Sequence, residues 1–280
     1  MKLDSISNCI GSFGATVKGA AKLLVLSRRP TVSKSGGGER LVVLGNGPSL
    51  RETIARSGDA LKASRLMAVN FMANTPEFFA LRPEYYILAD PHFFAPAGTD
   101  PNVDRFWENI ARVDWPITLF VPAREAKRIP RVEGENIKVE RFNPVGFEGY
   151  DWAKNLAYAS GRGMPRPRNV LIAAIMVGIQ AGFRDIVIVG ADHSWPRTLS
   201  VNDENEVVSI QPHFYEDNSK EKERVTATYK NIRLHEIMLS FHVAFKAYHE
   251  IARYASRRGV KIMNATPGSF IDAFPRGELK

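Results

Sequence analysis

The chain is poor in the residues that build disulfide frameworks and metal clusters. Its 280 residues include one cysteine, Cys9. That excludes an internal disulfide and any multi-cysteine zinc site, and makes a reducing compartment the expected setting. No Asp-x-Asp pair and no His-x-x-x-His pair occurs, so two common metal-binding patterns are missing. His235, His242 and His249 do recur every seven residues. On a helix that spacing separates neighbours by about 10.5 Å along the axis, too far to share one metal. No apolar run reaches about 18 residues, so no segment is expected to span a bilayer. Neither a complete Gly-x-Gly-x-x-Gly nor a Gly-Lys-Ser/Thr phosphate loop is present, and no nucleic-acid recognition motif appears among scattered basic residues.

What is there is the composition of a globular protein with one main core. The hydrophobic fraction is 44% and the charged fraction 24%, with 38 Lys and Arg against 30 Asp and Glu, a net charge of +8. A basic balance of this size suits nucleic acid, an anionic membrane surface or phosphorylated substrates equally. The basic excess is steepest at the N-terminus, where residues 1–38 hold six Lys or Arg against one acid, Asp4. There Ile6, Ile10, Phe13, Val17, Ala21 and Leu24 recur at helical spacing beside Lys18 and Lys22, the pattern of an amphipathic basic helix. Such a helix lies on an anionic membrane through residues 6–29 or packs on protein. Gly11, Gly14 and Gly19 weaken it as an isolated helix. Ser33 to Gly38 then reads as a flexible linker, which divides the chain into an N-terminal segment, 1–38, and a main domain, 39–280.

Within the main domain, apolar strand-like runs alternate with helical patterns. Strands are expected at Arg40 to Leu44, Leu66 to Asn70, Tyr85 to Ala89, Ile117 to Val121, Ile137 to Phe142, Ile186 to Val189 and Val260 to Asn264. Helices are expected near Ser49 to Arg56, Pro76 to Leu81, Val103 to Val113, Asn169 to Ala181, and Val225 to Arg258. That order predicts an α/β fold, a single Rossmann-like domain whose mainly parallel sheet carries helices on both faces. Two stretches break the alternation: about 143–168, rich in Gly and Pro, and about 191–224, polar and aperiodic. Long irregular segments in compact domains are often covers over a site, and both are read as lid loops.

The chemistry concentrates at strand ends. Gly45-Asn46-Gly47-Pro48-Ser49 follows the first strand; its glycines permit close backbone approach, Asn46 offers an amide, and Pro48 with Ser49 opens a helix. Asn70 ends the second strand, Asp90 the third, and Asp192 the strand DIVIVGAD. In a parallel sheet these ends share one edge, the edge where ligands bind. Each residue also has an ordinary role as a turn former or helix cap.

The segments LVVLGNGPSL, MAVNFM, YYILADPHFF, NVLIAAIMVGIQAGFRDIVIVGAD and HFY resemble the bacterial sialyltransferases of glycosyltransferase family 42 and the related 6-hydroxymethylpterin diphosphokinase-like proteins. The similarity runs over about residues 40–275. It implies a lidded, variant GT-A-like sialyltransferase fold, a CMP-activated nonulosonic acid donor, inversion at the anomeric carbon and no metal or other cofactor. By this resemblance Asn46 and Asn70 contact the nucleotide, Asn169 stands where the family has a Ser or Thr at a helix start, and Asp90 stands where sialyltransferases have Asn. The family's general base is a lid histidine, for which His213 in QPHFYED is the candidate and His193 the alternative. Imidazole titrates near neutrality, as removal of an acceptor hydroxyl proton requires. Tyr215 or Tyr150 would support the donor phosphate, as the family's lid tyrosines do. Arg162, Arg166 and Arg168 are candidates to stabilise that phosphate by charged hydrogen bonds, and Ser269 in ATPGSFID is a candidate nucleotide contact.

The function expected is therefore metal-independent, inverting transfer of a sugar such as a sialic or Kdo-like acid from a CMP donor to a cell-surface glycan or lipid-linked glycan. The expected location is cytoplasmic, on the inner face of the membrane; a homo-oligomer is compatible and a nucleic-acid partner is not expected. Two alternatives stand beside it: an ATP- and Mg-dependent diphosphokinase, with Asp90 and Asp192 as ligands, and a non-catalytic scaffold for glycan assembly.

Overall fold

The computed structural model describes residues 2–130, 135–209 and 231–280, with the backbone alone for residues 2–10. Its strands are β1 (Arg40–Leu44), β2 (Arg65–Val69), β3 (Tyr85–Ile87), β4 (Ile117–Pro122), β5 (Ile137–Phe142), β6 (Asp185–Val189), β7 (Ser200–Val201), β8 (Val207–Val208) and β9 (Lys261–Asn264). Seven of them form one sheet in the order β5-β4-β3-β2-β1-β6-β9, and β7 with β8 makes a small separate hairpin. Every neighbouring pair in the large sheet is parallel. Its helices are α1 (Lys2–Leu26), α2 (Ser49–Arg56), α3 (Gly58–Lys62), α4 (Pro76–Leu81), α5 (Pro101–Ala111), α6 (Asp151–Ala159), α7 (Val170–Gln180) and α8 (Leu234–Arg257). The fold is the expected Rossmann-like α/β arrangement.

The sequence dictates this layering through strand composition. RLVVL and DIVIV are continuous apolar runs because both faces of a parallel sheet are covered. Leu41 and Val43 point into one core with α7, Tyr248 and Ile251, whereas Val42 and Leu44 point into the other with Leu50, Phe78 and Phe106. From β1 the chain builds outward through β2 to β5, then returns to place β6 on the other side of β1. The carboxyl ends of β1 and β6 thus form the topological switch point, where open α/β sheets bind ligands.

At that point the two strands are followed by loops in backbone contact. The Gly45 N–H donates to the Val189 carbonyl and the Gly47 N–H to the Gly190 carbonyl, both at 2.8 Å. A Cβ on Gly45 would lie 2.5 Å from the Gly190 oxygen, and Gly190 itself has φ +62° with Leu50 Cβ against its open side. Here the glycines make room for a neighbouring loop of the same chain.

Three expectations are corrected. The segment read as a flexible linker is tied down along its length: Ser33 donates to Glu140 through its backbone N–H at 2.8 Å and its hydroxyl at 2.5 Å, and Ser35 and Gly36 donate to the Ala181 carbonyl. Composition made it look loose; a Cβ on Gly36 would collide with the backbone of Phe183, so that glycine is there for packing. Residues 143–168, read as an irregular lid loop, contain α6, whose Ala153, Ala157 and Tyr158 are buried. Left-handed Gly149 and Gly161 bracket α6, and these breakers concealed its periodicity. Residues 191–209 hold the β7–β8 hairpin and a short turn of helix, Trp195–Thr198, while 210–224 lie outside the described residues, as does the expected start of the last helix at Val225.

The N-terminal segment forms α1 as expected, yet the face it lays on the domain is the small one. Thr16 accepts from the Tyr150 N–H, Gly19 meets the ring of Phe147, and Leu23 packs at Gly163. No described helix is long and apolar enough to cross a membrane.

Gly190→Ala is expected to lower the free energy of unfolding by about 2–4 kcal/mol, because a left-handed backbone and a backbone contact are both violated. Gly58→Ala, at an open position on α3, is the control and should change stability by no more than about 1 kcal/mol, toward greater stability. Urea unfolding of both variants measures this; equal losses contradict the account.

Candidate functional site

A cavity of about 460 Å³ opens at the switch point, lined by Asn46, Asn70, Asp90, Arg168, Asn169, Asp192, His193 and Trp195 among others. The expected strand-end residues do converge on one place. Gly47, Pro48 and Gly190 complete that side of the wall.

The Gly45 to Ser49 turn behaves differently from a phosphate loop. The helix start it makes already holds an anion: the Ser49 hydroxyl, at 2.7 Å, and the Ser49 backbone N–H both donate to the Asp192 carboxylate. A Cβ on Gly47 would collide with that carboxylate. Burial pushes the Asp192 carboxyl above its usual range, against the lowering effect of the Ser49 bonds. Asn46 is buried and donates through Nδ2 to the Val69 carbonyl at 3.1 Å, fastening the end of β1 to the end of β2.

Asn70 follows β2 with φ +49°, a conformation that Asn tolerates better than most residues. Its carbonyl accepts from the Tyr86 hydroxyl at 2.5 Å, while its side-chain Oδ1 is buried at the cavity without a hydrogen-bond partner. Asp90 accepts from the His92 N–H at 2.9 Å and so caps the turn Pro91–Phe94, the turn-former role, while also lining the cavity.

Asn169 is the best-determined polar group. It caps α7, its Oδ1 accepting from the Ile172 N–H at 3.2 Å and from the Tyr248 hydroxyl at 2.9 Å. With two donors on the oxygen, the amide orientation is fixed. The amide Nδ2 is buried without a partner. A buried donor without an acceptor is costly, and this one adjoins the positive end of an eleven-residue helix.

His193 is built into the wall. Its Nε2 lies 2.7 Å from the Tyr248 hydroxyl, and its ring stacks on Trp195 with centroids 4.2 Å apart. Since the Tyr248 proton goes to Asn169, His193 donates from Nε2. Burial lowers its pKa to about 3, so the imidazole is neutral across the physiological range. A group so weakly basic is a poor proton acceptor near neutral pH, and the alternative-base reading of His193 is replaced by a positioning one. Tyr248 and Trp195 were missed from the sequence. A tyrosine on the buried stripe of α8 was the available signal, because a buried phenol needs a partner for its hydroxyl.

Other expected residues fall elsewhere. Ser269 lies beyond the β6 loop in a separate cleft with Arg56 and Arg276; its hydroxyl donates to the Ala191 carbonyl at 2.6 Å and accepts from Asn264 Nδ2 at 3.0 Å. That hydroxyl supports the loop and is not presented to the cavity. Arg168 lines the cavity, whereas Arg166 faces Glu148 at 3.9 Å and Arg162 is exposed beside α1, its carbonyl accepting from the Ser27 hydroxyl. Tyr150 precedes α6, with its N–H bonded to Thr16 at 2.9 Å. His213 and Tyr215 lie outside the described residues. Among the described residues, no group of three or more His, Cys, Asp or Glu is arranged to hold a metal.

No protein-family model matches the sequence, and no curated protein does. Among solved structures, the chain is similar to the MAf glycosyltransferase of Magnetospirillum magneticum AMB-1, with 10% identity and a TM-score of 0.48 over 96% of this chain and 38% of that one. FabMG, an enoyl-acyl carrier protein reductase, matches with 12% identity and a TM-score of 0.21, over 86% of this chain and 63% of that one. The chain spans less than two thirds of either neighbour. Likenesses this distant leave the fold to the strand order and the function to the cavity.

The buried neutral His193 makes stability pH-dependent. Unfolded histidine titrates near 6.5, so as pH falls from there toward about 3 the unfolded chain takes up a proton that the folded one refuses. The stability this site contributes above that window is lost through it, by at most about 1.4 kcal/mol per pH unit. Asp192, raised above its usual range, acts with the opposite sign. Comparing wild type with His193→Gln removes that shared contribution: the melting temperature of wild type should fall more steeply between pH 6.5 and 4. Parallel curves contradict a buried neutral imidazole.

Proposed function

We propose that the protein is a metal-independent, inverting glycosyltransferase that moves a sugar, a nonulosonic acid in the closest reading, from a CMP-activated donor to a glycan or lipid-linked glycan acceptor. What carries this reading is the pair of unpartnered buried atoms at the switch-point cavity, Asn70 Oδ1 and Asn169 Nδ2. One seeks a donor and the other an acceptor, the complement of a nucleotide with both kinds of group. The start of α7 and Arg168 supply positive potential to the same cavity, suited to a phosphodiester. The start of α2 is not available for that role, because Asp192 occupies it.

In the reaction, the acceptor hydroxyl oxygen forms the new glycosidic bond to the anomeric carbon. The bond from that carbon to the donor phosphate oxygen breaks, and CMP leaves with the electron pair. The acceptor proton goes to His213, since burial makes His193, the cavity-lining imidazole among the described residues, only weakly basic and its Nε2 is bonded to Tyr248. Arg168 and the α7 start offset charge on the departing phosphate. Tyr215 is a further candidate for that phosphate. The protein acts in the cytoplasm, at the inner membrane face.

Three measurements test this. CMP, CDP, UDP, GDP and ATP are compared by thermal shift with and without Mg²⁺, since binding to the folded state alone raises the melting temperature by mass action. CMP should stabilise without Mg²⁺; stabilisation by ATP only with Mg²⁺ would mean the diphosphokinase, and indifference to every nucleotide the scaffold. Asn169→Asp keeps the oxygen that caps α7 and accepts from Tyr248, but replaces the unpartnered amide donor in the cavity wall with an acceptor. It should weaken CMP binding to the folded variant about tenfold or more. His213→Ala should reduce transfer about 100-fold or more while CMP still binds, and transfer at the wild-type rate would refute the base assignment.

A further inference from the structure

α1 presents its apolar stripe away from the domain. At 100° per residue Phe13, Val17 and Leu24 share one face, and they are 61%, 53% and 83% exposed. The neighbouring face, through Thr16, Gly19 and Leu23, is the one packed on residues 147–163. An amphipathic helix normally buries its apolar side; here small residues make the intramolecular contact and large ones are left outside. α6 follows directly on the Gly149–Tyr150 contact with α1 and adds two further exposed side chains, Trp152 and Leu156, each 67% exposed.

We infer that α1 and α6 together form a docking surface for an anionic lipid bilayer, with Phe13, Val17, Leu24, Trp152 and Leu156 entering the interface and Lys18, Lys22, Arg28 and Arg29 engaging headgroup phosphates. Charge decides the occupant. The four basic residues, two on the helix and two just beyond its end, are exposed. The nearby acids are already paired: Asp151 with Lys154 at 2.8 Å and Arg257 at 2.9 Å, and Glu148 with Lys246 at 3.7 Å and Arg166 at 3.9 Å. A second copy of the chain meeting this face symmetrically would set those four cations against their equivalents, whereas an anionic bilayer complements both the cations and the stripe. An exposed tryptophan suits the headgroup boundary. The surface is also tied to the cavity: Gly146 bridges to Met164 and packs on Arg166, two residues before Arg168 in the cavity wall. The inference does not depend on which reaction the cavity performs.

The full chain is sedimented with vesicles of phosphatidylcholine alone and with vesicles containing roughly one third phosphatidylglycerol. Binding should be at least about tenfold tighter to the anionic vesicles. Val17→Asp/Leu24→Asp should abolish it, and Lys18→Glu/Lys22→Glu should weaken it about tenfold or more while keeping the stripe. Both variants change exposed positions and should melt as wild type; should the first fail to fold, the second still decides. Equal binding to the two vesicle types, or undiminished binding by the charge-reversed variant, overturns the inference. So does a dimer in light scattering that Val17→Asp/Leu24→Asp dissociates, since the face would then belong to a second copy.

Discussion

The backbone contact between the loops after β1 and β6 organises the rest of the site. Two strands running side by side would ordinarily splay at their ends to admit side chains. Gly45, Gly47 and Gly190 remove that need, and their N–H and carbonyl groups bond directly. Because the loops touch, Asp192 is delivered to the start of α2 and the anion position there is filled from within the protein. A ligand is left with the other side of the cavity, where Asn70, Arg168 and Asn169 stand.

On that side, polarity is fixed by a chain of hydrogen bonds rather than by charge. His193 donates to Tyr248, Tyr248 donates to Asn169, and Asn169, a residue of the cavity wall, keeps a buried amide nitrogen with no partner of its own. Each link sets the direction of the next. Removing water from His193 keeps it neutral and holds the chain in one orientation over the physiological pH range. A donor held this way is preorganised, so a ligand acceptor that meets it incurs little ordering cost.

The N-terminal helix shows the same economy on the outside of the molecule. Thr16 and Gly19 allow α1 to approach the 147–150 segment closely, and the residues with the largest apolar area are the ones that face outward. The following segment, through Ser33, Ser35 and Gly36, is bonded to β5 and to the end of α7. The outer surface of α1 is therefore held at a fixed place on the domain.

Strand and helix periodicity are local properties, and the sequence alone located the seven strands of the large sheet and four of the eight described helices, α2, α4, α5 and α7, within a residue or two of their ends. α6 escaped because Gly149 and Gly161 are breakers by composition, and only its burial against Tyr254 and Phe147 makes it a helix worth forming. The polar strand ends Asn46, Asn70, Asp90 and Asp192 were legible because a parallel sheet brings every carboxyl end to one edge. Tertiary structure alone decided which way each pointed: Asp192 toward Ser49, Ser269 toward the Ala191 carbonyl, His193 into a dry wall. It also decided that the glycine turn faces its own chain and that α1 turns its apolar side outward. Those outcomes depend on contacts between residues far apart in the chain, such as Ser49 with Asp192 and Thr16 with Tyr150, and no local pattern in the sequence encodes them.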